Sequence, residues 1–254
     1  MKKILSVIIL AVMLTSLLTV ATLAADKTTV YVTISNAGEI VLADKAVSIE
    51  ASSGTATLDD ALRAAHEQYG KADGYASGET EYGLSLQKLW GVENGGAYGY
   101  YVDDAMAWSL GDTVKDGSHI YAFVYSDTTY WSDAYTYFDV NTVSGKKGET
   151  VELTLNYYTY DESWNLVATP AAGMTLTLDG KDTGVKTDSN GKAALELTKS
   201  GVLSATSGDI VIVPPVCTVN VQSESTTLYV ILGVCAILLI VCAAVVITKK
   251  KSKK

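Results

Sequence analysis

"GGAYGYYVDDAMAWSLGD", residues 95–112, sets three tyrosines, a tryptophan and two adjacent aspartates between a glycine pair and a turn. Read as a strand over 98–102, it puts Tyr98, Tyr100 and Val102 on one face and Gly99 and Tyr101 on the other. The later stretch "HIYAFVY", residues 119–125, divides the same way, with Ile120, Ala122 and Val124 opposite His119, Tyr121, Phe123 and Tyr125. Such strands need cover on both sides, and the apolar alternate must be core. The aromatic alternate admits two readings. Either a helix lies over it and the rings are core, or some rings form a ledge for a planar or sugar ligand, since each offers area at little entropy cost. The ring residues singled out for a ledge are Trp90, Tyr98, Tyr101, Trp108 and Trp131.

Outward from this stretch the chain reads as an α+β module over 26–140, β-rich with one main helix. "TTVYVTIS" alternates Val30, Val32 and Ile34, and a second strand follows the Asn36-Ala37-Gly38 turn. In "TLDDALRAAHEQYG", Thr57 is the expected N-cap, Asp59 and Asp60 occupy the first turn and Gly70 stops the helix. Leu58, Ala61, Leu62, Ala65 and Tyr69 fall on one helical face. Residues 71–80 read as a loop. Beyond it lie 13 of the chain's 22 aromatic residues, between Trp90 and Phe138, with strands expected near 98–103, 106–110, 119–126 and 134–139.

Residues 141–216 carry no helical pattern. "GETVELTLNYYTY", "MTLTLDGKDTG", "KAALELT" and "DIVIVP" are alternating or β-branched runs, and Asp179-Gly180 and Asn190-Gly191 are hairpin signals. This is the pattern of an all-β, immunoglobulin-like sandwich. Residues 217–227 read as a linker.

The two ends suggest how the modules are held. Lys2 and Lys3, an apolar run and the Thr22-Leu23-Ala24 exit read as a secretory signal peptide over 1–25. Leu228–Ile247 is uncharged and long enough to cross a bilayer as one transmembrane helix, and residues 248–254 form a basic cytoplasmic tail. The expected place is the cell membrane, with the ectodomain outside. Without the seven lysines of the two ends, 12 basic residues face 28 acidic ones, about −16 in all. A surface this acidic repels nucleic acid and anionic headgroups, so no nucleic-acid partner is expected. Cys217 is the only thiol between the two end segments, so no disulfide staples the ectodomain.

The quoted motifs also carry a resemblance. "TLDDALRAAHEQYG", "LQKLWGVENGGAYGYYVDDAMAW" and "VKDGSHIYAFVYSD" occur in the order seen in the bacterial domain related to the C-terminal β-domain of transcobalamin and intrinsic factor. Residues 26–140 resemble that family, with Asp103 where it usually has Asn and Ser118 where it usually has Asp. The resemblance implies a corrinoid as ligand, cradled by half of the usual site because no helical barrel is present. "KTDSNGKAALELTKSGVLSAT" resembles transthyretin-like and collagen-adhesin stalk domains, which often carry a Lys–Asn isopeptide. No such trio is assigned here.

Other chemistry finds little support. Asp103 and Asp104, with Asp112 and Asp116, read as turn formers before they read as calcium ligands. Aligning Gly191 to the sixth position of an EF-hand puts Leu197 twelfth, which excludes that loop. His66 reads as a solvated helix residue and His119 as a β-face residue, and neither sits in a catalytic motif. No catalytic residue, metal or cofactor is assigned. The expectation is a membrane-anchored surface protein that captures a corrinoid-like ligand or a glycan, with a structural or adhesive role toward a protein or the cell wall as the alternative.

Overall fold

The computed structural model describes residues 27–51, 54–93, 95–163 and 165–222. The signal peptide, transmembrane span and basic tail expected from the sequence lie outside the described residues. Among the described residues no helix is long and apolar enough to cross a membrane.

The N-terminal sheet begins with β1 (Thr28–Asn36) and β2 (Glu39–Ile49), an antiparallel hairpin. Helix α1 (Leu58–Gln68), the one long helix among the described residues, follows, and then the hairpin β3 (Ala76–Thr80) and β4 (Gly83–Lys88). Next come β5 (Tyr98–Val102), β6 (Ala105–Met106) and β7 (His119–Val124). The strand order is β2-β1-β7-β5-β6, with β7 parallel to β1 and antiparallel to β5. The β3–β4 hairpin falls partly where a loop was expected, because its polar, Gly-bearing strands show no alternation. The strand expected at 106–110 shrinks to two residues, since Asp112 ties the Trp108 and Ser109 amides into a turn.

Helix α1 starts where its capping residues place it. Thr57 Oγ1 accepts from the Asp60 amide at 3.2 Å, and Asp60 Oδ2 accepts from the Thr57 amide at 3.1 Å. Its apolar face, with Leu58, Ala61, Leu62 and Ala65, packs on Val30, Val32, Ile34, Ile120, Ala122 and Val124. The helix therefore covers the aliphatic face of the sheet and leaves the aromatic face to something else. Thr33 and Ser35, on that second face of β1, are nonetheless buried.

The cover is the C-terminal sandwich. One of its sheets contains β8 (Ala134–Phe138), β10 (Thr150–Tyr160), β11 (Leu166–Pro170), β14 (Lys192–Glu196) and β16 (Ile212–Val213). The other orders β13 (Lys181–Lys186), β12 (Thr175–Leu178), β15 (Gly201–Thr206), β17 (Cys217–Gln222) and β9 (Thr142–Lys146). Leu153, Leu155 and Leu195 from the first sheet meet Leu176, Leu203 and Val219 from the second in one core. The expectation of a β-sandwich is met, with different limits. The 134–138 strand, expected to close the first module, pairs with β10 and β16 instead. Residues 217–222, expected as linker, form β17 between β15 and β9.

The modules meet through rings. Tyr101, Tyr121 and Phe123 from the first pack with Tyr135 and Val213 from the second. The Tyr121 hydroxyl donates to the Pro214 carbonyl. Gly99 makes room for this contact, because a Cβ there would lie 2.2 Å from Phe123 Cζ. The aromatic alternate of the sequence is thus largely a domain junction, covered by a sheet and not by the helix.

Candidate ligand-binding cleft

Two of the five singled-out rings come together beside the β3–β4 hairpin. Tyr98 and Trp131, joined by Tyr82 and Tyr100, line an open cleft of about 500 Å³. Glu81 and Ser85 supply its polar groups. That volume lies in the range of small-molecule sites, although the cleft leaves an occupant open to water on one side.

One wall is β5. Tyr98 and Tyr100 lie at its edge, half-buried against the helix-side core. The Tyr98 hydroxyl stands 2.9 Å from the Gln87 carbonyl and 2.8 Å from the Val92 carbonyl, which fixes the ring. Burial raises the Tyr100 hydroxyl above the ordinary tyrosine value, partly offset by a hydrogen bond with Ser85. The opposite wall is the tip of the β3–β4 hairpin, where Tyr82 is exposed. Gly96 contributes to the floor at φ +99°, a left-handed conformation that suits glycine.

Trp131 completes the cleft from the loop before β8. Its backbone has φ +54°, rare for a bulky residue, and its ring is 56% exposed. Two aspartates hold it there. Buried Asp133 accepts from the Ser126 and Asp127 amides at 2.8 and 3.0 Å. Asp127 in turn accepts from the Thr129 and Tyr130 amides at 2.9 and 3.0 Å and from Ser132 Oγ at 2.7 Å. These hydrogen bonds hold the Asp127 carboxyl below the usual value. A strained backbone that presents an exposed tryptophan costs about 1–3 kcal/mol, and such strain clusters at functional sites.

The other three rings are elsewhere. Tyr101 is 4% exposed and stacked inside the junction, so it offers no ledge, a correction to the sequence reading. Trp90 occupies a tight turn at φ +50° and packs half-buried against the aliphatic core, its ring centroid 5.1 Å from that of His66. It does not line the cleft. Trp108 is 80% exposed on the loop after β6, also outside the cleft lining. Sequence reasoning missed Tyr82 and Tyr100. Tyr100 was legible as the neighbour of Tyr98 on the same strand face, whereas Tyr82 depended on the unpredicted hairpin.

His66 is fully buried, another correction. Its Nδ1 lies 2.6 Å from the Leu62 carbonyl and its Nε2 accepts from the Trp90 amide at 3.1 Å. Accepting at Nε2 makes Nδ1 the protonated nitrogen of a neutral ring. Burial lowers its pKa below 6.5.

The aspartates of the opening stretch serve structure. Asp103 accepts from the His119 amide at 2.7 Å and from Ser118 Oγ at 3.0 Å. Asp112 holds the Trp108 amide at 2.9 Å, and Asp116 holds the Thr29 amide at 2.8 Å. Asp104 accepts from the Tyr135 hydroxyl at 2.8 Å, across the junction. Asp44 sits where β1 and β2 slip register, and there it meets His119 Nδ1 at 2.9 Å and Thr218 Oγ1 at 2.8 Å. These contacts leave a gap of about 30 Å³ between the modules, roughly one water. A second cleft, about 450 Å³, opens between the β1–β2 turn and β12–β15, but no ring lines it.

No family model matches this chain, and no curated protein does. Among solved structures, it is similar to the N-terminal four immunoglobulin domains of Dscam1 isoform 9.44. The identity is 11% and the TM-score 0.23, over 78% of this chain and 44% of that one. The chain thus spans less than half of that structure, and at this TM-score the likeness says nothing about what the chain binds.

Proposed function

We propose that this chain is a surface-held binding protein whose first module captures an extracellular ligand in the Tyr82–Tyr98–Tyr100–Trp131 cleft. The reading rests on Trp131. A large ring is held exposed on a left-handed backbone by a loop that two aspartates brace; it stacks on Tyr125 and lines a cleft with three tyrosines. Flat rings flanked by a carboxylate and hydroxyls suit a sugar, which offers an apolar face and a rim of hydroxyl groups. The apolar run and lysine tail of the sequence support anchorage in the cell membrane, ectodomain outward. Binding in preference to catalysis is supported by the engagement of both His66 nitrogens inside the core and of the aspartates of the opening stretch with backbone amides and hydroxyls.

Titration of the full chain with uncharged disaccharides and with cobalamin, followed by tryptophan fluorescence, tests this reading. Saturable quenching by a disaccharide that disappears in Trp131→Ala is the expected result. Quenching by cobalamin alone would favour the corrinoid implied by the transcobalamin-like motifs. No response to either ligand would leave the adhesive role as the better account.

A further inference from the structure

We infer that the sugar taken by the cleft carries a positive charge: an amino sugar whose ammonium group meets Glu81 and the faces of the surrounding rings. The inference rests on the binding reading above and names its ligand class.

The residues that line the cleft set the sign of the charge it favours. Glu81 is the one charged residue among them. It stands beside Tyr82 in the turn between β3 and β4, so a carboxylate and an exposed ring reach the cleft from one hairpin tip. Lys88, on the same hairpin, pairs with Glu93 at 2.8 Å instead. Among the described residues no lysine, arginine or histidine lies within ion-pair distance of Glu81. The carboxylate is therefore left to whatever enters the cleft.

The rings favour the same sign. The face of an aromatic ring is negative, so a cation over tryptophan or tyrosine is attracted to it. Tyr98 is fixed by the Gln87 and Val92 carbonyls, and Trp131 is backed by Tyr125 with centroids 6.2 Å apart, so two of the four rings are placed before any ligand arrives. At longer range the acidic surface, about −16 between the two end segments, draws cations and repels anions. A uronate or phosphate would meet repulsion from that surface and from Glu81. An uncharged sugar covers the rings but leaves the carboxylate without a charged partner. A bare ammonium ion pairs with the carboxylate but leaves most of a cleft of about 500 Å³ empty. An amino sugar engages both.

The test is a titration of the full chain with cellobiose, diacetylchitobiose and deacetylated chitobiose, at a pH that protonates the free amine. These disaccharides differ in one substituent per ring: a hydroxyl, an acetamide and an ammonium group. The ammonium form should bind about tenfold more tightly than cellobiose, the scale of a cation–ring contact reinforced by a carboxylate. Added salt should shrink that gain. Glu81→Gln should abolish it and leave cellobiose binding as in the parent, whereas Glu81→Asp, which keeps the charge on a shorter arm, should retain part of it. Both variants should melt with the parent, because Glu81 is exposed. Equal affinity for the three sugars, or a gain untouched by Glu81→Gln, overturns the charge assignment and leaves the cleft standing. Equal affinity for tetramethylammonium and the amino sugar would mean that charge alone is read, and overturns the amino-sugar assignment. Tighter binding of a galacturonate disaccharide reverses the sign and overturns the inference. Absence of binding by every sugar overturns both this inference and the reading beneath it.

Discussion

The ring of Tyr101 lies parallel to that of Tyr135, with centroids 3.6 Å apart and planes 4° from each other. Tyr101 comes from β5 of the first sheet and Tyr135 from β8 of the sandwich, so one stacked pair joins the two modules. Phe123 and Tyr158 lie beside it at 6.2 Å and 6.1 Å from Tyr101. Tyr101, singled out for a ligand ledge, belongs to the contact that gives the two modules a shared interface, whereas Tyr98 lines the cleft.

Tyr101→Ala should therefore act on stability. Truncating a buried ring costs about 3–5 kcal/mol. Urea unfolding should show that loss, while Trp108→Ala, on an exposed ring, should stay within about 0.5 kcal/mol of the parent. Equal effects of the two variants would contradict the placement of Tyr101 in the junction.

Trp131→Ala should separate binding from folding. Loss of a ring anchor weakens binding by about 1–3 kcal/mol. Trp131→Gly should in addition raise the melting temperature slightly, because glycine relieves the left-handed backbone. Calorimetry and thermal melting on the same samples check both outcomes, and a marked fall in melting temperature would show the ring to be structural.

Gly99→Ala should destabilise the chain by about 1–3 kcal/mol, the usual cost of overpacking. The added methyl group meets Phe123 and pushes the junction apart. A normal melting temperature would mean that Phe123 has room to move.

His66 gives the chain a pH dependence. Its folded pKa is lowered from 6.5 by burial, so below that value the unfolded chain binds the proton more readily than the folded one. Stability should fall as the pH drops below about 6.5 toward the folded pKa, and the contribution is fully present above 6.5. Urea midpoints at a series of pH values, for the parent and His66→Gln, should show a steeper acid-side decline in the parent. Parallel curves would remove His66 as the cause.

Fragment limits provide a further check. Residues 133–222 contain β8 and β17, each hydrogen-bonded within its sheet, and should unfold cooperatively when expressed alone. The shorter span 141–216 lacks both strands and should give a disordered circular dichroism spectrum.

The sequence alone determined the local features whose causes are local. Thr57 and Asp60 marked the start of the helix, the alternation in 119–125 marked a strand with two unlike faces, and Asp179-Gly180 marked a hairpin. It also showed that Ile120, Ala122 and Val124 face inward, because apolar side chains three in a row on one face have few other places to go. Which body covers the aromatic face was a tertiary decision. A ring stacked inside a junction and a ring waiting for a ligand have the same spacing along the chain, and only the second sheet, packing through Tyr135 and Val213, separated Tyr101 from Trp131. The same holds for His66, whose polar ring gave no sign that the Trp90 amide would meet it inside the core. Membership of β8 and β17 in the sandwich was likewise undecided by pattern, since a short alternating strand fits either of two neighbouring sheets. Long-range pairing chose between them, through hydrogen bonds between residues far apart in the chain.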